Sequence, residues 1–285
     1  MSKKLAFCCA AVVFVFLGCA VREPLQICPG ADSVAQALSS LNAGSKNAGS
    51  FKANGQCRVG YLDEAGEPQT QNFPVRLWMD PPTQMYLQGD IFLMPGGIVL
   101  GSNSDEFWLL LKPKEISSYF WGDWAQAGYF DELMINPRMV TEAMGVAAVG
   151  SGAVDSMADW SLSNQGPFDV LAEHNHEGRV VKKVYVYCCD YTVRKIEYFD
   201  PQGEIAVVTE LDRYKQIAES FYVPMSVRIT ERPGDDSGNS AKITLRSAKA
   251  ATFSDKLRNF VFKRPKRRGL KNGYEIVDGE MVKRW

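Results

Sequence analysis

Phe51-Lys52-Ala53-Asn54-Gly55-Gln56-Cys57-Arg58-Val59-Gly60-Tyr61 places Phe51, Ala53, Cys57, Val59 and Tyr61 in one phase and Lys52, Asn54, Gln56 and Arg58 in the other. Successive side chains of an extended chain point to opposite faces, so this stretch predicts a strand with one buried face and one wet face. The same period returns in Phe73, Val75, Leu77 and Met79 against Asn72, Pro74, Arg76 and Trp78. It returns again in Met85, Leu87, Ile91 and Leu93 against Tyr86, Gln88 and Asp90. Ala65-Gly66, Asp80-Pro81-Pro82 and Pro95-Gly96-Gly97 are the turn signals between these strands.

Outward from this block, Ile98–Gly101, Glu106–Lys112 and Ile116–Trp121 read as further strands. Asn136-Pro137 then breaks the period, with Asn as helix cap and Pro at the first helical position. Val140, Ala143, Met144, Ala147 and Ala148 follow on one helical face, and Gly150-Ser151-Gly152 ends it. A second β block runs from about Phe168 to Thr252. It contains Arg179–Cys188, Thr192–Phe199, Glu204–Leu211, the alternation Val223, Met225, Val227, Ile229, and Ala241–Ala248. Ahead of the first block, Asp32 or Ser33 can cap a short helix carrying Val34, Leu38 and Leu41, which Gly44 ends. Short connections predict antiparallel meanders, and ten or so strands must curl or close. Either the sheet closes into a barrel, or the helices cover its concave face.

The N-terminus carries a different signal. Lys3 and Lys4 precede an apolar run from Leu5 to Leu17, too short for a permanent span and of the length of a secretion signal. Phe16-Leu17-Gly18-Cys19 resembles the lipobox of bacterial lipoproteins, with Phe16 in place of the usual aliphatic residue. The resemblance implies cleavage after Gly18 and lipid on Cys19; an ordinary signal peptide cut elsewhere is the other reading. Cleavage there leaves 267 of the 285 residues and moves the formal net charge from −1 to about −3. That near-balance gives no support for a nucleic-acid partner. An exported chain can form disulfides. Cys28 with Cys57 would tie the N-terminal segment to the first strand, whereas adjacent Cys188 and Cys189 face opposite ways and are expected as two unpaired thiols.

A cysteine to be lipidated, a short helix, and a strand block holding Arg76-Leu77-Trp78-Met79-Asp80-Pro81-Pro82 and Met85-Tyr86-Leu87 come first. The Asn136-Pro137 helix, long hairpins and Phe260-Val261-Phe262 follow. This order resembles the LolA/LolB-like family of periplasmic lipoprotein carriers and receptors, over most of residues 32–263. The resemblance implies a mainly β (α+β) fold: an incomplete antiparallel β-barrel with helices forming a lid over its concave apolar face. The domains expected are a signal peptide at 1–18, a lipidated tether at 19–31, a half-barrel domain at 32–263 and a basic tail at 264–285. The family binds acyl chains of lipoproteins in its cavity. Here Leu77, Met79, Leu87, Ile91, Leu93, Phe107, Leu109, Val140 and Met144 are the candidate lining. Phe92-Leu93-Met94-Pro95-Gly96-Gly97-Ile98 is the candidate for a protruding apolar loop, with Met94 and Ile98 exposed; a plain hairpin with those residues in the core is the alternative. Ala20 lacks the aspartate associated with inner-membrane retention in enteric bacteria, which favours an outer-membrane anchor facing the periplasm.

Other motifs weigh less. Trp78, Phe107, Trp108, Phe120, Trp121, Trp124 and Tyr129 line a lipid pocket or pack a core. Met134, Met139, Met144 and Met157 suit a lid that re-packs, or plain helix packing. His174 and His176, flanked by Glu173 and Glu177, share a strand face, but Glu177-Gly178 reads as a turn and no third metal ligand is apparent. No nucleophile elbow, phosphate loop or carboxylate pair stands out, so neither an enzyme nor a cofactor is expected. Lys263-Arg264-Pro265-Lys266-Arg267-Arg268 either meets anionic head groups or is solvated. The expected partners are acyl chains, the membrane through Cys19, and an envelope protein. The competing function is a structural or assembly lipoprotein that uses the same fold as a scaffold without lipid transfer.

Overall fold

The computed structural model describes residues 25–63, 65–91, 94–114, 117–126, 137–145, 159–233, 239–266 and 269–285. Cys19, Leu93, Tyr129, Asn136, Ala147 and Ala148 lie outside them.

One open sheet dominates. In chain order its strands are β1 (Phe51–Leu62), β2 (Pro68–Asp80), β3 (Gln84–Ile91), β4 (Met94–Ser102), β5 (Glu106–Leu111) and β6 (Ser118–Asp123). Then come β7 (Asp159–Gln165), β8 (Phe168–His174), β9 (Val180–Tyr187), β10 (Val193–Phe199), β11 (Ile205–Ala218), β12 (Phe221–Glu231) and β13 (Ser240–Ala250). The last two are β14 (Asn272–Val277) and β15 (Glu280–Lys283). Their spatial order is β15-β14-β6-β5-β4-β3-β2-β1-β13-β12-β11-β10-β9-β8-β7. β7 and β15 are free edges, so the barrel is incomplete, as expected. Neighbours are antiparallel except β14, which runs parallel to β6.

The alternation of period two holds where it decides the fold. Phe51, Ala53 and Cys57 on β1, and Phe73, Val75, Leu77 and Met79 on β2, are buried on the inner face. Met85, Leu87 and Ile91 continue that face on β3. Ser33 caps α1 (Val34–Lys46), its hydroxyl accepting from Gln36 N, while Gln36 Oε1 accepts from the N–H of Asp32, one residue before the cap. α1 runs through Gly44 to Lys46, past the expected stop. It lays Val34, Ala37, Leu38 and Leu41 on the inner face.

Three expectations are corrected. The segment beyond residue 263 is not a tail only, because β14 and β15 extend the sheet. Ile276 is fully buried against Phe107, and Trp285 stacks on Trp121 with ring centroids 5.1 Å apart. The charge run before these strands masks their short apolar alternation. Cys28 bonds Cys189, 161 residues away, not Cys57. The turn after β9 frees Cys189 from strict strand geometry, so Cys188 and Cys189 take different roles, and Cys57 and Cys188 remain buried thiols. A seven-residue helix α3 (Asp255–Val261), capped by Ser254, follows the second β block, where the sequence reading assigns no element. Trp160 and Leu162 place β7 in the second β block ahead of Phe168, with Trp160 opposite Glu173.

The aromatic set divides between the faces. Trp108 and Tyr119 are buried on the outer face with Val99, Leu110 and Leu270. Trp78 and Tyr86 lie under Phe253, Val261 and Phe262. The chain after β13 therefore covers the outer surface that these rings would expose. Gly101 stands opposite Trp108, and a Cβ there would lie 2.5 Å from the indole, so glycine lets the ring lie flat on the neighbouring strand.

Candidate functional site

The inner face is the candidate site. Its floor is built from Leu77 and Met79 on β2, Leu87 and Ile91 on β3, Leu100 on β4 and Leu109 on β5. Over it lies α2 (Pro137–Ala143), whose Val140 and Ala143, with Met144 just beyond, join the same apolar cluster. Phe107 shares the face of Leu109 by its phase on β5 but packs beside Trp124, centroids 4.5 Å apart, and Ile276. The structure thus brings Leu77, Met79, Leu87, Ile91, Leu109, Val140 and Met144 into one cluster and sets Phe107 in a neighbouring one.

The covered region is closely packed. Met79, Val140 and Met144 are 0 % exposed, so no water-sized void touches them. An occupant of this face must displace α2. Burial of Val140 and Met144 holds the helix down by roughly 3–6 kcal/mol. An acyl chain gains about 0.8 kcal/mol for each methylene it buries, so about eight methylenes offset that hold.

A second hold is ionic. Lys182 on β9 is in phase with inward Val184 and Val186. Its Nζ lies 2.7 Å from Glu173 Oε2 on β8 and 3.4 Å from Glu142 Oε1 on α2. The Tyr198 hydroxyl donates to Glu142 Oε2 at 2.9 Å, and the Trp160 ring faces the ammonium at 5.6 Å. Burial opposes the charge on Lys182, but Glu142 and Glu173 outweigh it and hold its pKa above the ordinary lysine value. α2 therefore spans the concave face, touching β4 on one side and latched to β8–β10 on the other. This network was not picked out from the sequence. The available signal was a lysine at an inward position of an alternating strand.

A third anchor fixes the N-terminal segment. The fully buried Asp169 carboxylate accepts from Ala31 N at 2.9 Å and Asn164 Nδ2 at 2.7 Å. A Cβ on Gly30 would meet Asn164 at 2.2 Å, so glycine is needed at this crossing.

The loop candidate divides. Met94 is 37 % exposed at the tip of the β3–β4 hairpin, whereas Ile98 packs on the main core. Partial burial works against the Asp90 charge, but Gln88, the Gly96 N–H and Arg76 outweigh it and hold the carboxyl below its ordinary range. Asp90 accepts from Gly96 N at 2.7 Å and so fixes the turn. His174 bonds Ser161 Oγ at 2.9 Å, and His176 sits exposed in the following turn. Among the described residues no three His, Cys, Asp or Glu side chains converge as a metal site. No described helix is long and apolar enough to cross a membrane.

The open sheet with an N-terminal helix and a small helix on its concave face matches solved structures. A domain described as an outer membrane lipoprotein-sorting protein, from Vibrio parahaemolyticus, superposes with a TM-score of 0.54 at 13% identity, covering 80% of this chain and 97% of that one. The chain has a LolA/LolB-like fold. A LolA superfamily protein of Nitrosomonas europaea gives a TM-score of 0.53 at 11% identity, covering 82% of this chain and 99% of that one. A DUF1329 family protein of Desulfovibrio piger gives 0.53 at 13% identity, covering 82% and 98%. No family model and no curated protein sequence matches the chain.

Proposed function

We propose that this LolA/LolB-like chain is a lipid-anchored envelope protein that takes acyl chains of lipoproteins or lipids onto its concave face. The carrying observation is an apolar inner face whose β2–β5 part lies under one short helix, α2, held in place by a few apolar side chains and one ionic latch. Cys19 carries the anchor in this reading, and the outer membrane facing the periplasm is its place. Leu77, Met79, Leu87, Ile91 and Leu109 receive the chain once Val140 and Met144 lift away. The neighbour described as lipoprotein-sorting supports the reading through fold alone. Burial without direction suits acyl chains, whose methylenes offer no polar handle.

Native mass spectrometry of delipidated, refolded protein given a triacylated lipopeptide tests this. A stoichiometric adduct is expected, and absence of uptake overturns the reading. The mass of the N-terminal peptide from membrane-extracted protein tests Cys19 separately.

The close packing around Met79, Val140 and Met144 favours a second reading, in which the fold is an envelope scaffold with a permanently filled interior. Crosslinking in cells that recovers one stoichiometric protein partner, without lipid uptake in the first experiment, decides for it.

A further inference from the structure

Leu25, Ile27, Leu62, Met94, Tyr222, Leu257, Phe260 and Met281 are the large apolar side chains exposed among the described residues. By register, six of these eight lie toward one end of the sheet: Leu25, Ile27, Tyr222, Leu257, Phe260 and Met281. The register places that end. β9, β11 and β13 all run toward it, so the Cys189 turn, the β11–β12 hairpin and α3 leave the sheet there. Leu25 and Ile27 flank Gln26, whose carbonyl accepts from the Tyr187 hydroxyl at the end of β9. Tyr222 begins β12. Leu257 and Phe260, three residues apart on α3, share one helix face. Phe260 is 80 % exposed.

This exposure is built in. Val261 on α3, with Phe253 before the helix and Phe262 after it, is buried against Trp78 and Tyr86, on a side turned away from Phe260. Arg258 pins the helix to Asp80, with Nε to Oδ2 at 2.6 Å. Phe260 therefore cannot turn inward without undoing those contacts. Lys256, Lys263 and Lys266, close to the apolar pair along the chain, are exposed. Lys52 and Lys249 stand opposite each other on the outer face in the second row from this end. Like charges directly opposed across strands are unfavourable unless an anion shares them. Asp255, 3.8 Å from Arg258, exposed Glu219 and Asp190, and exposed Asp105, which lines a cleft with Arg258, Asn259 and Lys263, are acidic groups at this end.

We infer that the α3 end of the sheet is a membrane-docking surface, with Phe260 and Leu257 entering the interface of an anionic bilayer and Lys256, Lys263 and Lys266 meeting its head groups. Charge complementarity identifies the occupant, and the tether agrees with it. The Cys28–Cys189 bond fixes the N-terminal segment at this same end, nine residues after Cys19. This last support rests on the proposed lipid at Cys19. A lipid there would bring α3, rather than the Met94 hairpin at the opposite end, against the membrane.

Co-sedimentation tests this with the chain from residue 19 onward carrying Cys19→Ala, which keeps every described element and no lipid. Vesicles of phosphatidylglycerol with phosphatidylcholine are compared with phosphatidylcholine alone. Salt-sensitive binding to the anionic vesicles is expected. Leu257→Ser with Phe260→Ser lowers that affinity about tenfold or more. Lys256→Glu with Lys263→Glu lowers it by roughly tenfold or more. All four side chains are exposed, so the variants melt with the parent. Failure to bind, or binding that both pairs leave unchanged, overturns the inference. A dimer in sedimentation velocity that Phe260→Ser dissociates also overturns it, by assigning the surface to a second copy. Because no lipid is attached, a negative result counts against this surface and not against the Cys19 anchor or the acyl-binding face.

Discussion

Lys182 Nζ on β9 lies 3.4 Å from Glu142 Oε1 on α2, across the mouth of the concave face. Lys182, Glu142 and Glu173 are 10, 11 and 18 % exposed in their side chains, so the attraction is little screened. Removing one partner leaves the others buried without a counter-charge. Lys182→Met is expected to cost about 2–3 kcal/mol, or roughly 5–10 °C in melting temperature. Glu142→Gln should speed hydrogen exchange in α2 and accelerate acyl uptake. Replacing the three together by Met, Leu and Leu should recover most of the stability. A triple variant weaker than the sum of the singles sinks the latch.

Alkaline pH probes the same core. Burial pushes the Cys57 thiol up to about 12 from 9.0, and Lys182 is also held above its unfolded value. Both groups bind their proton more tightly when folded. Their stability is therefore fully present below the unfolded pKa and is lost as pH rises through the folded one. Urea unfolding is expected to show falling stability between pH 9 and 12, of up to about 4 kcal/mol from Cys57. Cys57→Ala should flatten that fall. An unchanged slope in the variant would remove Cys57 as its cause.

Cys28 and Cys189 close a long loop that holds the tether at the end of β9. Peptide mapping without reduction should recover these two cysteines linked. Cys28→Ser is expected to lower stability by about 2–5 kcal/mol. Recovery of a Cys28–Cys57 peptide would refute this pairing.

The C-terminal strands finish the sheet. Removing residues 272–285 strips Ile276 from Phe107 and Trp285 from Trp121, and it bares the edge of β6. An open apolar edge recruits other chains. The truncated protein is expected to aggregate on size-exclusion chromatography and to bind a hydrophobic dye. A monomeric, fully stable truncation would show that these strands are ornament.

By itself the sequence determined which side chains face inward on β1, β2 and β3. It also determined where the β pattern yields to α2, and that the many strands must curl or close, leaving open whether a closed barrel or helices would cover the apolar face. These features follow from local geometry, since a period of two or 3.6 is written in neighbouring residues. Leu77, Met79, Leu87, Ile91, Val140 and Met144 were legible for that reason. Only the tertiary structure decided that Cys28 meets Cys189, that Lys182 meets Glu142 and that β14 lies parallel to β6. It also decided that Trp78 and Trp108 lie on the outer face, beneath the chain that follows β13. Each of these depends on which distant strand becomes a neighbour. That choice rests on the free energy of burying whole faces together, and no short stretch of residues encodes it.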